Sequence, residues 1–271
     1  MPERGPTRPQ LIATDLDGTF LRSDGTVSDR TVRAWAALPE QGIETVLVTA
    51  RPPRWLHDLA HVVGRHGIAL CGNGAFVYAV ESRQIIETHA FDPDLLADLI
   101  ADLRAAVPSV QFATETAAGP FFEDGWPGSY FETAITYTPR GQTPPLLQAP
   151  VGKLLALAPR IPTEEFLATV EEVVAGRGEF AYSGALGLAE IGAVAVTKAA
   201  ALERWADEHG IAAEQVWAFG DMPNDLPMIE WAGLGVAVAN AHPTVLEVAD
   251  LIAPSNDEDG VAATVEPLLG T

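Results

Sequence analysis

The stretch LIATDLDGTFL, residues 11–21, places two carboxylates at the end of an apolar, β-prone run. Asp15 and Asp17 lie two residues apart, and Gly18 and Thr19 follow them directly. Ionised groups are costly to desolvate, so a carboxylate pair at the end of a buried strand needs a compensating partner, and a cation is the obvious one. Taken alone, DLDGT is equally typical of an ordinary turn, because Asp-Gly is a favoured turn dipeptide.

The composition restricts the possible partners. The chain has 271 residues, 48% of them hydrophobic and 20% charged, which is typical of a folded globular protein. Its net charge of −21 disfavours nucleic acid and anionic membranes as partners, and any phosphate site must carry local positive charge. No run reaches the roughly eighteen apolar residues of a membrane helix, and MPERGPTRPQ does not resemble a secretory signal. We expect a cytoplasmic protein with no obligate protein partner.

Short apolar runs alternate with helical patterns after residue 10, which predicts an α/β fold with a parallel sheet. LIATDL, IETVLVTA and IALCGNG are predicted strands, and TVRAWAALPEQG and RPPRWLHDLAHVVGRHG are predicted helices. From about residue 83 to 186 the sequence becomes aromatic and Thr-rich, with a strand at VGKLLALAP and a helix at TEEFLATVEEVVAG; the α/β rhythm then returns. We predict a discontinuous core domain, 1–82 and 187–271, and an inserted domain, 83–186.

Polar side chains follow the predicted strands where each strand ends. Thr49 ends the second strand, and DMPND, which contains Asp221, Asn224 and Asp225, follows the strand QVWAFG. The ligand crevice of an open parallel sheet lies at the carboxyl ends of its strands, so these side chains are expected to meet the DLDGT segment there. Thr49 alone is also an ordinary β-former, and DMPND alone is also a helix cap.

Three of the converging carboxylates, Asp15, Asp17 and Asp221, supply hard oxygens. Such ligands suit Mg²⁺, which is often shared with a substrate phosphate. In such a site one carboxylate can attack phosphorus while the other transfers protons. The sequence therefore predicts a site for phosphoryl chemistry.

Two further residues carry a signal of their own. Lys198 opens a predicted helix, where a cation opposes the helix dipole by up to about 1 kcal/mol, and this placement points to an anion beside it. A solvated lysine at a frayed helix end is the alternative. The single cysteine, Cys71, lies in an apolar run and is interpreted as a small buried thiol rather than a catalytic one.

These residues, in this order, resemble the haloacid dehalogenase (HAD) superfamily of phosphatases, and more closely its Cof-like, subclass IIB sugar-phosphatase type. DLDGT resembles the first motif, Thr49 the second, Lys198 the third and GDMPND the fourth. CGNGAFVY, GVAVANAHPTVLEVAD and SNDEDGVA also look like that subgroup. The resemblance covers about residues 11–82 and 187–266. It implies a Rossmann-like three-layer core with a parallel sheet and an inserted α+β cap between the second and third motifs.

The resemblance also implies roles for individual residues. Asp15 would be the nucleophile that becomes an aspartyl-phosphate, and Asp17 the general acid and base. Mg²⁺ would be held by Asp15, the backbone carbonyl of Asp17 and Asp221, with Asp225 orienting that shell. The phosphate would be gripped by side chains and backbone amides of Leu16, Thr49, Ala50, Lys198 and Asn224.

Two positions depart from the family pattern. Ala50 stands where glycine commonly follows the second-motif threonine, and Ala199 follows Lys198 where glycine is frequent. An added methyl group near the phosphate can loosen the grip or shift the loop. Neither change removes a catalytic functional group, so we still expect activity.

Several residues have two interpretations that the sequence leaves open. Arg51 either reaches the substrate or pairs with acidic neighbours. Asn73 and Gly74 face the crevice in the family picture and form a plain turn in the alternative. The aromatic residues Trp126, Tyr130 and Phe131 of the insert either contact the leaving group or, as is more usual at such spacing, belong to the core.

The sequence thus predicts a Mg²⁺-dependent phosphatase that acts on a small phosphomonoester, a sugar phosphate or a related metabolite. A phosphomutase uses the same aspartyl-phosphate, and the motifs do not separate the two. A phosphosugar-binding regulator without turnover is the alternative from another class, and the intact pair Asp15 and Asp17 argues against it.

Overall fold

Two β-sheets organise the part of the chain that the structure describes. This computed structural model describes residues 8–63, 67–127, 140–141, 147, 149–182 and 187–270. The larger sheet has eight strands in the order β14-β13-β12-β1-β2-β3-β4-β5, and the smaller has six in the order β10-β11-β9-β6-β7-β8. The strands of the large sheet are Leu11–Thr14 (β1), Glu44–Val48 (β2), Ile68–Cys71 (β3), Phe76–Ala79 (β4), Gln84–Thr88 (β5), Val216–Gly220 (β12), Leu234–Val238 (β13) and Leu251–Ala253 (β14).

Six strands of the large sheet, from β14 to β3, run parallel, and β4 and β5 add an antiparallel hairpin at one edge. Parallel strands require crossover connections, which the helices provide. The described α-helices are Asp29–Ala37 (α1), Pro93–Ala106 (α2), Thr163–Val174 (α3), Lys198–Glu208 (α4), Leu226–Trp231 (α5), Pro243–Val248 (α6) and Gly260–Val265 (α7). None of the helices in this described set is long and apolar enough to span a membrane.

Both faces of the large sheet are covered, which makes three layers. Along β1, Ile12 packs in the same cluster as Trp35 of α1 and Val261 of α7. Leu11, on the opposite face, packs in a second cluster with Leu202 of α4. Since successive side chains of a strand alternate between faces, a strand covered on both sides must be apolar throughout, and all four residues of β1 are buried. The expected fold class is confirmed.

The smaller sheet is covered on one face by helices. Its strands are Gln111–Thr116 (β6), Gly119–Glu123 (β7), Arg140–Gly141 (β8), Val151–Leu157 (β9), Glu179–Ala181 (β10) and Leu188–Gly192 (β11). Leu154 of β9 packs with Leu99 of α2 and Phe166 of α3. Lys153 and Leu155, which alternate with Leu154, are on the opposite face and line a cavity against the large sheet.

The predicted domain boundaries, at residues 83 and 186, fall a few residues before the points where the chain passes from one sheet to the other. Residues 84–88 form β5 and still pair with β4 in the large sheet, and residues 188–192 form β11 and still pair with β9 in the small one. Composition indicates that a new unit begins, but it does not show which sheet a strand joins. We propose that the inserted domain comprises residues 89–192, and we call this range the inserted unit.

Two helix predictions differ from the structure in extent or type. The helix predicted to end near Gly42 is α-helical only to Ala37 and continues as a 3-10 turn over Leu38–Gln41, where Gly42 (φ 74°) caps it. The predicted helix over residues 51–67 is wrong in type, because Pro53–Val62 forms 3-10 turns. The amide of Trp55 bonds to the carbonyl of Pro52, three residues back, as a 3-10 turn requires.

Candidate active site

Asp15 extends β1 beyond its last strand residue, at the carboxyl edge of the large sheet. Its amide donates to the carbonyl of Phe219 on β12 (3.0 Å), so the first and fourth motifs meet here. The chain then turns through Gly18, which has a φ of +81°. A Cβ at Gly18 would lie 2.3 Å from Oδ2 of Asp221, so both the turn and the close packing of that carboxylate require glycine.

Lys198, the first residue of α4, binds two carboxylates. Its Nζ lies 2.6 Å from Oδ1 of Asp15 and 2.6 Å from Oδ1 of Asp225, and all three side chains are buried. Burial by itself lowers the pKa of Lys198, but the two carboxylates more than reverse this and raise its pKa above the ordinary value. Burial raises the pKa of Asp15 above its ordinary value, although Lys198 acts in the opposite direction. The predicted anion beside this lysine is therefore present in the protein itself.

Asp221 completes a buried acidic cluster. Its Oδ1 accepts a hydrogen bond from Oγ1 of Thr19 (2.8 Å), and burial followed by the negative charge of Asp225 raises the pKa of Asp221 to about 6. Ligand atoms of Asp15, Asp221 and Asp225 lie within 4.8 Å of one another. The single positive charge of Lys198 offsets only part of the repulsion among these three carboxylates, so the arrangement fits a hard divalent cation.

The carboxylate of Asp225 is already committed to protein partners. Its Oδ1 accepts from Lys198, and its Oδ2 accepts from the amides of Asp221 (3.1 Å) and Met222 (3.0 Å). Those bonds hold the turn that presents Asp221 at the end of β12. The geometry therefore suits Asp225 to holding the cluster in place. Asp15 and Asp221 are left as the carboxylates available to a metal ion.

The side chain of Asp17 lies apart from that cluster. It is 58% exposed and accepts two hydrogen bonds from the Arg51 guanidinium, at 2.7 Å from Nε and 2.6 Å from Nη2. The described cluster does not include this carboxylate, and a metal contact through the backbone carbonyl of Asp17 stays a prediction. Both Asp17 and Arg51 line the cavity.

The structure pairs Arg51 with an acidic neighbour, Asp17, and a contact of Arg51 with the substrate stays a prediction. Burial lowers the pKa of Arg51, but the hydrogen bond with Asp17 and the negative charges of Asp17 and Asp15 together raise it by more, so that the net shift is upward. Guanidinium and carboxylate groups match as a planar, two-bonded pair. Arg51 therefore orients Asp17 within the cavity.

The residues expected to grip phosphate differ in how they are presented. Ala50 and Asn224 line the cavity, as does Lys198. Thr49 is fully buried behind them, and its Oγ1 accepts from the amide of Arg51 (3.0 Å), so it shapes the loop. The side chain of Leu16 is buried in the core, which leaves only its backbone to face a ligand.

Asn73 and Gly74 belong to one tight turn but serve different neighbours. Asn73 has a φ of +58°, and its Nδ2 donates to Oε2 of Glu190 (3.2 Å) while its Oδ1 accepts from Nδ2 of Asn224 (3.3 Å). Gly74 packs under the start of α4, where a Cβ would lie 2.5 Å from the carbonyl oxygen of Thr197. The lining of the cavity includes Gly72 of this turn but neither Asn73 nor Gly74, and Gly74 seats the helix that carries Lys198.

Replacing Gly74 by alanine is expected to destabilise the protein by about 2–4 kcal/mol, from backbone strain plus a steric clash. The φ of Gly74 is +99°, and the clash falls on backbone that cannot rotate away. Gly119→Ala is the matched control, because Gly119 has a φ of +111° and no atom lies within 4 Å of the position that an added Cβ would take. Denaturant unfolding of both variants measures the difference; equal losses would show that the contact with Thr197 is unimportant.

The cavity of about 410 Å³ between the two sheets is lined from both sides. The inserted unit contributes Glu115, Lys153, Leu155, Leu188 and Glu190. Lys153 pairs with Glu190, and Glu115 pairs with the guanidinium of Arg54, which lies three residues after Arg51 in the chain. Motif reasoning missed these charged residues.

A signal for two of them was present in the sequence. Lys153 interrupts the apolar run VGKLLALAP, and Glu190 interrupts LAEIG, and both strands are buried throughout. Charged residues are almost never fully buried unless they are paired. A lone charge within an apolar strand therefore indicates a buried partner, although the sequence does not identify that partner.

The sequence also singled out three aromatic residues of the insert and the single cysteine. Trp126 is buried against Phe122, with ring centroids 5.7 Å apart, and belongs to the core of the inserted unit. Tyr130 and Phe131 lie outside the described residues. Cys71 is buried on β3, and burial raises the pKa of its thiol, as expected of an inert core cysteine.

Comparison with known proteins agrees with this geometry. The family profile described as haloacid dehalogenase-like hydrolase matches residues 12–265. The chain belongs to this family. Among its relatives is the 5-amino-6-(5-phospho-D-ribitylamino)uracil phosphatase YitU of Bacillus subtilis, which is 29% identical over 94% of this chain and 96% of its own. The phosphoglycolate phosphatase of Methanopyrus kandleri is 27% identical over 96% of this chain and 97% of its own.

A solved structure of this HAD family has the same fold. A haloacid dehalogenase-like hydrolase from Bacteroides thetaiotaomicron superposes with a TM-score of 0.76 at 27% identity, over 96% of this chain and all of the other. The expected family is confirmed, and so is the expected enzyme class, a phosphatase of the HAD type.

Proposed function

We propose that this protein is a Mg²⁺-dependent phosphatase that hydrolyses a small phosphomonoester, a sugar phosphate or a related metabolite, through an aspartyl-phosphate on Asp15. The observation that carries the proposal is the buried group in which Lys198 joins Asp15 to Asp225, with Asp221 beside it, at the cavity. Phosphoryl transfer depends on positioning and charge neutralisation, and this group supplies both.

The proposed hydrolysis takes place in two steps, formation of the aspartyl-phosphate and its hydrolysis. In the first, a carboxylate oxygen of Asp15 bonds to phosphorus as the bond from phosphorus to the leaving oxygen breaks, and Asp17 gives its proton to that oxygen. In the second, a water molecule gives a proton to Asp17 and bonds to phosphorus as the bond to Asp15 breaks. Inorganic phosphate leaves, and both aspartates return to their starting forms.

The metal expected for this chemistry fits the residues present. Asp15 and Asp221, with the backbone carbonyl of Asp17, would hold Mg²⁺, and Asp225 would orient the set. When bound, Mg²⁺ neutralises negative charge on the transferring phosphoryl group. The hydrogen bond from Thr19 and the ion pair with Lys198 hold the two carboxylates in place in advance.

Asp17 is positioned for proton transfer by Arg51. The pair holds the carboxylate at the cavity while leaving it largely exposed. We expect substrate entry to draw Arg51 away from Asp17, toward the phosphate, which frees the Asp17 carboxyl group for proton transfer. Lys198 and the amide groups of the Thr49 loop then provide the local positive potential that a chain of charge −21 otherwise lacks.

The size of the cavity supports a small substrate. A volume of about 410 Å³ lies at the lower end of the range for pockets that enclose small molecules. The relatives named above act on small phosphomonoesters, as their names state. The inserted unit closes the cavity opposite the carboxylates, so the choice of leaving group is expected to depend on it.

The proposal predicts that the enzyme loses activity when its metal is removed. Inorganic phosphate release from a panel of sugar phosphates and other small phosphomonoesters should be measured with Mg²⁺, with a chelator, and with Mg²⁺ restored in excess. We expect hydrolysis of at least one compound, loss of at least about 100-fold in chelator, and full recovery. Release that persists in chelator contradicts the metal dependence. No release by folded protein from any compound contradicts the phosphatase proposal.

A further inference from the structure

Lys153 and Glu190 form a buried ion pair between neighbouring strands β9 and β11 of the inserted unit. Their side chains are 6% and 4% exposed, and every residue of both strands is buried. Replacing a buried ion pair by apolar side chains is often neutral or stabilising, so stability alone does not account for the charges. The chain has only two lysines, and both of them, Lys153 and Lys198, line the cavity.

Each member of the pair also bonds to a loop of the large sheet. Nζ of Lys153 donates to the carbonyl of Ala50 (3.0 Å), and Oε2 of Glu190 accepts from Nδ2 of Asn73 (3.2 Å). Asn73 in turn accepts from Nδ2 of Asn224 (3.3 Å). A continuous set of polar contacts therefore connects the second-motif loop to the fourth motif through the inserted unit.

The two loops are also joined to each other. The amide of Asn73 donates to the carbonyl of Thr49 (3.0 Å), and the amide of Gly72 donates to the carbonyl of Arg51 (2.9 Å). Asn73 holds a left-handed conformation that few residues other than glycine adopt readily. Its side-chain bonds to Glu190 and Asn224 stabilise that conformation, so a displacement of Glu190 is transmitted to both loops.

We infer that Lys153 and Glu190 are positioning residues for the phosphate site: they set the placement of Ala50 through one bond and of Asn224 through Asn73. The inference rests on the proposed function, in which Ala50 and Asn224 grip phosphate. None of these contacts involves a leaving group. The pair should therefore affect the binding of inorganic phosphate itself, whereas residues that only touch the leaving group would not.

The double variant Lys153→Met, Glu190→Gln tests this inference. It removes both charges, so neither partner is left as an unpaired buried charge. We expect inorganic phosphate, titrated calorimetrically in the presence of Mg²⁺, to bind about tenfold more weakly than to the wild type, a coupling within the usual range. KM is expected to rise by a similar factor for every phosphomonoester hydrolysed, whatever its leaving group.

The matched control is the pair of Arg177 and Asp102, which lies within the inserted unit, 2.7 Å apart. Arg177→Met with Asp102→Asn likewise removes one positive and one negative charge, and it should leave phosphate affinity unchanged. The inference is overturned if the Lys153 and Glu190 variant binds inorganic phosphate as tightly as the wild type and changes only the ranking of substrates. Wild-type protein that neither binds phosphate nor releases it refutes the proposed function instead.

A second measurement does not depend on any variant folding. Because the chain has two lysines, labelling with [¹⁵N]lysine gives two side-chain nitrogen signals, which can be assigned through the side-chain carbons. Saturation of the wild type with inorganic phosphate should shift the Lys153 signal together with that of Lys198, since Lys153 bonds to the carbonyl of Ala50, which is proposed to grip phosphate. A Lys153 signal that stays constant while that of Lys198 shifts overturns the inference.

Discussion

Replacing Asp15 by asparagine is expected to lower kcat by at least about 10⁴-fold, as removal of a nucleophile does in other enzymes. Asparagine retains a side-chain oxygen that can accept the hydrogen bond from Lys198, but its neutral amide is a poor nucleophile toward phosphorus. Lys198 also keeps its ion pair with Asp225. The variant should therefore remain folded and still bind substrate, and the loss should fall on the chemical step.

The measurement is steady-state phosphate release with the best compound of the panel, alongside thermal unfolding. Asp207→Asn is the matched control, because Asp207 is an exposed aspartate on α4 and its replacement changes the net charge equally. The control should keep wild-type kcat. A folded Asp15→Asn enzyme that retains more than about 1% of wild-type kcat is incompatible with a nucleophilic Asp15.

Replacing Lys198 by methionine is expected to reduce both stability and activity. Loss of one partner from a buried, hydrogen-bonded ion group leaves its carboxylates uncompensated, which costs about 3–5 kcal/mol of unfolding free energy. Asp15 and Asp225 each lie 2.6 Å from Nζ of this residue, and both carboxylates are buried. Phosphate release should fall below detection, because the nucleophile loses its placement and the phosphate loses a cation.

Urea unfolding without divalent metal and with Mg²⁺ measures this effect. Mg²⁺ should restore part of the lost stability, because a divalent ion between Asp15 and Asp221 supplies positive charge near the carboxylates that Lys198 no longer binds.

Arg33→Met is the matched control: it removes one positive charge from an exposed position on α1 and should cost less than about 0.5 kcal/mol of unfolding free energy. The double variant Lys198→Met, Asp225→Asn should recover stability relative to Lys198→Met. A single variant within about 1 kcal/mol of the wild type contradicts the structural role assigned to Lys198.

The main features of the large sheet could be predicted because they are local. A strand buried on both faces must be a continuous apolar run, and LIATDL, IETVLVTA and QVWAFG are such runs. Residues that follow these runs necessarily come to the carboxyl edge of the sheet, and Asp15, Thr49 and Asp221 directly follow β1, β2 and β12. The 3-10 turns over Pro53–Val62 were not predicted, because an apolar pattern at helical spacing does not reveal which hydrogen-bond register the backbone adopts.

The partners of charged side chains could not be predicted in the same way. Arg51 had two interpretations in the sequence, and only the fold brings it to Asp17, 34 residues away in the chain. Gly74 also had two interpretations, one at the crevice and one in a plain turn, and the contact that explains this glycine is with the carbonyl of Thr197, on another segment. Lys153 and Glu190 are isolated charges within apolar strands along the sequence, and only the pairing of β9 with β11 brings them together.

The sequence by itself determined the family, the order of the core strands and helices, and the carboxylates at the strand ends. These follow from residue type, periodicity and spacing along the chain, which act over a few residues. Only the tertiary structure decided which charges meet: Asp15 with Lys198, 183 residues apart, and Lys153 with the loops at Ala50 and Asn73. Electrostatic and hydrogen-bond contacts act over a few ångströms in space, so they are set by how the two sheets pack and not by distance along the chain.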